Sequence, residues 1–475
     1  MRRKDSSRKS ERRSRTGIDQ GPREIAAFRL NSFSASVKIE SMEKTYHIIT
    51  IGCQMNKSDS ERIANYLESL GYSWTDERER ADVVVTTTCG VRQSAEDRIY
   101  GLVPRIKRSN PKGRIILTGC LSRREDVRRR LEEYVDIWMP ITELPDLAAK
   151  LGKKGTGSLS GYLKINPKYG SNFSAFVPIG NGCDNFCTYC VVPYARGRET
   201  YRPAEDVIRE AEGLIKKGYK EIILIAQNVN SYKDEKGMDF PDLLRAVNDI
   251  EGDFWLRFAT SHPKDMSNKL IGTIAGCAKL CQHVHLPAQA GDDEVLRRMN
   301  RKYTKDHYLK LIEKIRAEFD PKLKNRKSFV EPISITTDII VGFPGETKEQ
   351  FQETARLFRA ARFDMAYIAQ YSPRPGTASA KMEDDVCRKE KKRREEELMK
   401  ILRKTALVNN KIYQGKIVEV LFDKKNQKGI FGKTRANKTV RCDRDAKAKI
   451  GEIARVKILK IQDFGLEGKI IDGKK

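Results

Sequence analysis

The chain has 475 residues, enough for about three domains at roughly 150 residues each. Its 39% apolar content plus 33 glycines matches a globular protein with real cores, and 92 Lys and Arg against 65 Asp and Glu leave a net charge of +27 that points to a polyanion, nucleic acid above all. No uncharged apolar run nears the roughly 20 residues of a membrane helix, the basic start MRRKDSSRKSERRSR lacks the apolar stretch of a secretory signal, and ten cysteines are too sparse for a disulfide scaffold. The expectation is a cytoplasmic protein with reduced thiols and no membrane partner.

Residues 1–42 lack hydrophobic period and read as a disordered basic tail. Removing residues 1–15, with eight basic and two acidic groups, still leaves +21, so the charge is not confined to the tail. From 43 to 150 the chain alternates strands and helices. Strands are predicted at Tyr46–Ile51, Asp82–Thr88 and Arg114–Thr118, with helices at Lys57–Leu70 and Ser94–Lys107 and an Arg/Glu-rich helix after the third strand. This βαβαβ order argues for a doubly wound parallel sheet.

A Gly/Ser/Lys-rich linker is predicted over 151–172. Six strands follow within 173–405: Ser174–Ile179, Glu221–Ala226, Phe254–Ala259, His283–Pro287, Ile333–Val341 and Asp364–Tyr371. Helices such as Ala204–Lys217 and Glu349–Ala361 separate them, which predicts a partial (β/α)6 barrel with right-handed crossovers. Residues 388–405 read as an exposed charged helix. Residues 406–475 then carry short runs at Lys416–Phe422, Gly429–Thr434, Thr439–Cys442, Ile453–Ile461 and Gly468–Ile471. They predict a small antiparallel β-barrel. With 18 basic and 8 acidic residues from 411 onward, that barrel suits looped or single-stranded RNA.

The sharpest local signal is Cys183, Cys187 and Cys190, spaced C-x3-C-x2-C directly after a predicted strand. A zinc site usually offers four ligands, and the next cysteine in the chain is Cys277. Three thiolates on a four-iron cluster leave one iron open for chemistry. A second set is more dispersed. Cys53, Cys89 and Cys120 each end a predicted strand of the first sheet. The carboxyl ends of neighbouring parallel strands share one edge, where ligands bind. These three are therefore predicted to converge, as cluster ligands or as buried strand-end thiols.

At Cys183–Cys190 the chain resembles the radical SAM superfamily. Cys53, Cys89 and Cys120, within Gly52-Cys-Gln-Met-Asn56, Thr88-Cys-Gly-Val-Arg92 and Gly119-Cys120, resemble the methylthiotransferases of that superfamily. The likeness runs from about 45 to 471 through Arg196–Glu199, Gln227–Tyr232, Thr260–Pro263, Leu286-Pro287, Met299–Arg301, Thr337–Glu346 and Tyr371–Thr377. The terminal barrel resembles the TRAM domain. Gln227–Tyr232 and Tyr371–Thr377 look most like the MiaB branch, which acts on N(6)-isopentenyladenosine of tRNA; Ala226 and Ala288-Gln-Ala290 depart from it by one small residue for another.

The resemblance implies two [4Fe-4S] clusters and S-adenosylmethionine as cofactors. Cys183, Cys187 and Cys190 would hold the cluster that cleaves S-adenosylmethionine to a radical. Cys53, Cys89 and Cys120 would hold an auxiliary cluster that carries the sulfur. It also implies a reducing electron donor, a tRNA anticodon stem-loop as partner, and a monomer. Tyr189 matches the position that packs near the adenine of the cofactor. Gly342, Gly345 and Glu346 are candidate cofactor contacts or an ordinary turn before a helix. Gln227 and Asn228 are candidate contacts to an adenine edge or a carboxylate, or turn residues. Arg196 and Arg198 suit RNA phosphate or carboxylates. His262, His283 and His285 read as structural, and Cys277, Cys281, Cys387 and Cys442 as packing or surface thiols.

Radical chemistry answers a real difficulty, because the C2–H of adenine is too weak an acid for general-base removal. Three other readings stay open: a methylthiotransferase for threonylcarbamoyl-adenosine, one for a ribosomal-protein aspartate, or a non-catalytic iron–sulfur RNA-binding protein.

Overall fold

β-Branched runs separated by amphipathic stretches build the first layer of the fold. The computed structural model describes residues 43–154, 161–324 and 329–471, and the expected tail over 1–42 and part of the predicted linker lie outside them. Strands β1 (Lys44–Thr50), β2 (Tyr72–Trp74), β3 (Val83–Thr88), β4 (Arg114–Gly119) and β5 (Ile137–Trp138) form a parallel sheet of order β2-β1-β3-β4-β5. Central β3 is buried along its whole length, because one apolar cluster around Ile63, Leu67 and Met139 packs one face and another around Ile99, Val103 and Val127 packs the other. The edge strands β2 and β5 were not anticipated. Three and two residues are too short to show a period.

Strands β6 (Ser174–Pro178), β7 (Gly180–Asn181), β8 (Thr200–Tyr201), β9 (Glu221–Ile225), β10 (Trp255–Ala259), β11 (His283–His285), β12 (Ser334–Val341) and β13 (Met365–Gln370) make the middle of the molecule. Two parallel three-stranded sheets, β6-β9-β10 and β11-β12-β13, meet through a bridge between Leu256 and Leu280. The result is an arc of six strands, a partial barrel, with a continuous apolar core between strands and outer helices. The two-residue pair β7–β8 pins the base of the loop that carries Cys183–Cys190.

The charged helix runs Arg388–Asn410 and is not simply exposed. Lys391, Arg394, Leu398, Leu402 and Ala406 recur every three or four residues and are buried as one stripe. Its charge density hid that stripe from the sequence pattern.

Strands β14 (Ile417–Asn426), β15 (Gly429–Thr434), β16 (Thr439–Cys442), β17 (Ile453–Ile461) and β18 (Leu466–Ile470) close into a barrel of order β14-β15-β16-β18-β17. The expectation of a purely antiparallel barrel needs one correction: β16 and β18 run parallel. A closed ring of five strands cannot alternate direction all the way round, so one neighbouring pair must be parallel.

This small barrel docks by its β15–β16 turn. Arg257 donates to the carbonyls of Thr434 (2.8 Å) and Arg435 (3.1 Å) and to Glu221 (2.7 Å), while Lys438 pairs with Asp364 at 2.7 Å. Glu221 opens β9 and Asp364 precedes β13, so the contact lies toward the amino-terminal ends of the strands. The loops at the carboxyl ends stay free for chemistry.

Candidate functional site

Cys53, Cys89 and Cys120 lie just past the carboxyl ends of β1, β3 and β4, Cys183, Cys187 and Cys190 lie in the loop between β7 and β8 that follows β6, and none of the six is in a disulfide. Cys53 follows β1 in extended backbone and caps the helix Gln54–Ser69. Its partner loops come equally close. A Cβ built on Gly52 would lie 3.2 Å from that of Cys89, and one on Gly90 would lie 3.2 Å from that of Cys120. The same Gly90 position is 3.0 Å from Val191, the residue after Cys190. The two triads therefore meet where the first sheet abuts the ligand loop of the barrel.

That loop is braced from several sides. Gly182 has φ +86°, and a side chain there would overlap the Arg198 carbonyl. Its N–H donates to Gln227 Oε1 at 2.6 Å. Asn300 donates to the carbonyls of Asn185 (3.1 Å) and Phe186 (3.0 Å), and Thr188 Oγ1 donates to the Arg298 carbonyl at 2.9 Å. Gln227 thus holds the ligand loop. Asn228 instead donates to Asp265 at 2.8 Å.

Two buried arginines serve the cysteines. Arg196 Nη2 donates to Asp59 (2.6 Å) and Asn56 (3.0 Å) of the first layer, and Nη1 to Asn181 (3.0 Å). The Arg196 and Asp59 side chains are each 2% exposed. Of the two uses open to Arg196, the structure selects the carboxylate. Arg198 is exposed and pairs with Asp184 at 3.0 Å. Arg301 places Nη1 3.5 Å from Cys187 Sγ, and its Nη2 donates to the Pro287 carbonyl at 2.8 Å. Burial raises the thiols of Cys53, Cys120, Cys183 and Cys190 above their ordinary range. The Arg196 guanidinium pulls Cys53 and Cys120 back, and contacts with Asn185 do the same for Cys183.

A third arginine closes the seam. Arg374, in the loop after β13, donates to Gln93 (2.6 Å) and the Val91 carbonyl (3.0 Å) and pairs with Glu96 at 3.3 Å. Arg124 grips the same Glu96 with bonds of 2.7 and 2.9 Å. Sequence reasoning did not single out Arg301, Arg374, Glu96 or Asp59. Arg301 and Arg374 did stand inside Met299–Arg301 and Tyr371–Thr377.

The other candidates divide. Tyr189 is half-buried between the ligand loop and the barrel core, beside Cys187 and Arg301. Glu346 Oε2 accepts from the Gly342 N–H (2.6 Å) and from Arg394 (2.7 Å). Gly342 packs on the Lys391 stem and Gly345 against the Arg298 guanidinium. These three residues build a turn, and its contacts hold the helix Arg388–Asn410 to the barrel. His262 is pushed down to about 2 by burial and is a neutral acceptor for the Lys264 N–H. His283 and His285 share the Thr336 hydroxyl, each at 2.9 Å. Cys277, Cys281 and Cys442 are buried and Cys387 is exposed.

Among the described residues, no group of three or more His, Cys, Asp or Glu is tight enough for a single metal ion. The donor sets suit a larger, multinuclear group, with one thiolate per iron and one iron left over. Beside them, Asn228 Oδ1 and Ser261 Oγ, past the ends of β9 and β10, are buried with no hydrogen-bond partner among the described residues. Such orphaned groups suit a polar cofactor over the barrel mouth.

Comparison with known proteins agrees with this geometry. Residues 45–140 match the Uncharacterized protein family UPF0004, residues 177–358 the Radical SAM superfamily and residues 411–471 the TRAM domain. The tRNA-2-methylthio-N(6)-dimethylallyladenosine synthase of Thermoanaerobacter pseudethanolicus is 43% identical over 450 residues, covering 90% of this chain and 93% of that protein. The chain belongs to the tRNA-2-methylthio-N(6)-dimethylallyladenosine synthase family. The synthase of Alkaliphilus oremlandii is 41% identical, with coverage of 90% and 93%. Among solved structures, the radical S-adenosylmethionine methyltransferase TsrM from Kitasatospora setae has a TM-score of 0.52 at 14% identity, covering 71% of this chain and 77% of that one. That likeness is one of fold. Both cysteine triads and the terminal barrel fall inside the spans that the three family models match.

Proposed function

We infer that the protein is a radical SAM tRNA methylthiotransferase that adds a methylthio group to C2 of N(6)-isopentenyladenosine beside the anticodon. The observation that carries this is the meeting of two free cysteine triads at one seam, in a chain 43% identical to a named synthase. Cys183, Cys187 and Cys190 are proposed to hold one [4Fe-4S] cluster and Cys53, Cys89 and Cys120 the other. When bound, the clusters and S-adenosylmethionine supply the radical, the sulfur and the methyl group.

The chain's own residues do the positioning. Gln227 and Asn300 hold the ligand loop in one conformation. Arg196 ties that loop to the helix capped by Cys53, and Arg374 ties the loop after β13 to the segment after Cys89. The distance between the triads is thereby fixed before any substrate arrives. Arg196 and Arg301 put positive charge beside thiols that must lose their protons to bind iron. Tyr189, Asn228 and Ser261 are proposed to line the S-adenosylmethionine site. The terminal barrel is proposed to grip the anticodon stem through phosphates, which positions the RNA without choosing the base. Its docking toward the amino-terminal ends sets the barrel one strand length, about 16 Å, from the ligand loops. Among the described residues no helix is long and apolar enough to cross a membrane. A cytoplasmic monomer served by a separate electron donor completes the proposal.

Nucleoside mass spectrometry of tRNA from cells lacking the gene tests it. Loss of the methylthio group with isopentenyladenosine retained is expected. An unchanged nucleoside would overturn the assignment, and the same chromatogram would reveal a lost methylthio group on threonylcarbamoyl-adenosine instead.

A further inference from the structure

We propose that Tyr194 is a stacking platform for an unpaired RNA nucleotide next to the target adenosine. This rests on the tRNA reading above and deepens it. A cavity of about 350 Å³ opens at the seam of the two cysteine triads, lined by Cys120, Val191, Tyr194, Pro375, Arg123 and Arg129 among others. Tyr194 is 52% exposed, unusual for a ring so close to two ligand sets. The ring is not loose: Phe186 meets it edge-on at 6.2 Å between centroids, and the Arg198 guanidinium sits 5.3 Å from the centre of Phe186. A braced, half-exposed aromatic is ready to take a base on its open face.

The charges around the cavity fit a nucleotide. Arg124 is held by Glu96 and Asp126, which satisfies this partly buried arginine and one of the two lining carboxylates. Glu125 is the other carboxylate. Against it stand Arg129, exposed and without an ion-pair partner among the described residues, and Arg123, which is exposed, pairs with Glu143 at 4.0 Å and donates to Thr142 Oγ1 at 3.5 Å. One unpaired guanidinium and one loosely held at an exposed pair, beside an aromatic face, suit a base and its phosphates. The target base itself must reach the barrel mouth, near Gln227 and Asn228. Tyr194 stands at the far end of the ligand loop, so its occupant is a neighbour of the target in the same unpaired loop.

The test uses iron-loaded full-length protein and an isopentenylated anticodon stem-loop, with a second set of stem-loops each bearing one abasic nucleotide. Tyr194→Ala is expected to raise KM for the intact stem-loop about 5- to 150-fold, the range of one base–aromatic stack. Tyr194→Phe keeps the ring and is expected to stay within about twofold of wild type. One abasic position should show the same loss in wild type and no further loss in Tyr194→Ala, the signature of a shared contact. Arg129→Ala, on an exposed helix face, should lower the salt slope of binding by about one without changing which abasic position matters. An unchanged KM in Tyr194→Ala would overturn the proposal. So would abasic losses that all multiply with the variant's own. Failure of the wild-type enzyme to methylthiolate the intact stem-loop would overturn the tRNA reading and the platform with it.

Discussion

Replacing Arg196 with Leu strips the hydrogen-bonded counter-charge from the buried Asp59 carboxylate and leaves it only the more distant Arg62. Both side chains are 2% exposed, and Asp59 Oδ1 has no hydrogen-bond partner among the described residues. The variant also leaves Asn56 Oδ1 and Asn181 Oδ1 short of a donor. Breaking a buried pair by removing one member costs about 3–5 kcal/mol. The cost falls on the joint between the ligand loop and the helix Gln54–Ser69, which Cys53 caps. Native-state hydrogen exchange of that helix in the iron-loaded protein should therefore speed up about 10²–10⁴-fold, at 1.4 kcal/mol per tenfold. Leu at both positions should recover much of the loss, since the uncompensated carboxylate is then gone and buried Arg62 keeps Glu210. The pH response has a definite sign. Burial holds Asp59 above the ordinary carboxylate range, and Arg196 only partly offsets it. A carboxyl with a raised folded pKa favours the fold most when protonated and opposes it as pH rises through that pKa. Without Arg196 the folded pKa rises further, so the variant should lose most at alkaline pH and recover on acidification. Unchanged exchange, equal losses at all pH values, or a double variant as weak as the sum of the singles would refute the reasoning.

Three further outcomes are expected. Ala at any one of the six cysteines should lower iron from about eight to about four per chain, with Cys183, Cys187 or Cys190 abolishing S-adenosylmethionine cleavage and Cys53, Cys89 or Cys120 sparing it; iron assay and 5′-deoxyadenosine release check this, and full iron in any variant refutes that ligand. Gly182→Ala forces a Cβ onto the Arg198 carbonyl at φ +86°, so it should lose the cluster of the ligand loop while keeping the other, read from the iron content. Binding of tRNA should weaken about 10³–10⁵-fold between 50 and 200 mM salt if six to ten phosphates are contacted, and a flat response would argue against a phosphate grip.

Much of this protein was legible in its sequence because the signals are local. The C-x3-C-x2-C spacing lies in one loop, and Cys53, Cys89 and Cys120 each end a β-branched run, so strand-end geometry alone predicts their meeting. The alternation of strands with helices foretold the sheet and the partial barrel, and the basic β-rich tail end foretold the small barrel. What the pattern did not carry depends on partners far away in the chain. Arg196 is read as a phosphate or carboxylate ligand until Asp59, 137 residues earlier, is seen beside it. Glu346 reads as a cofactor contact or a turn residue, and only the packed structure shows its Oε2 taken by Arg394 from a helix whose buried stripe is masked by charge. The parallel pair in the last barrel follows from closing five strands in a ring, which no single strand records. The cavity at Tyr194 has walls from three separate segments. Residue chemistry at short range is thus set by the sequence itself, whereas which buried charge meets which, and what surface remains open, is decided only when distant segments pack and must satisfy one another's polar groups.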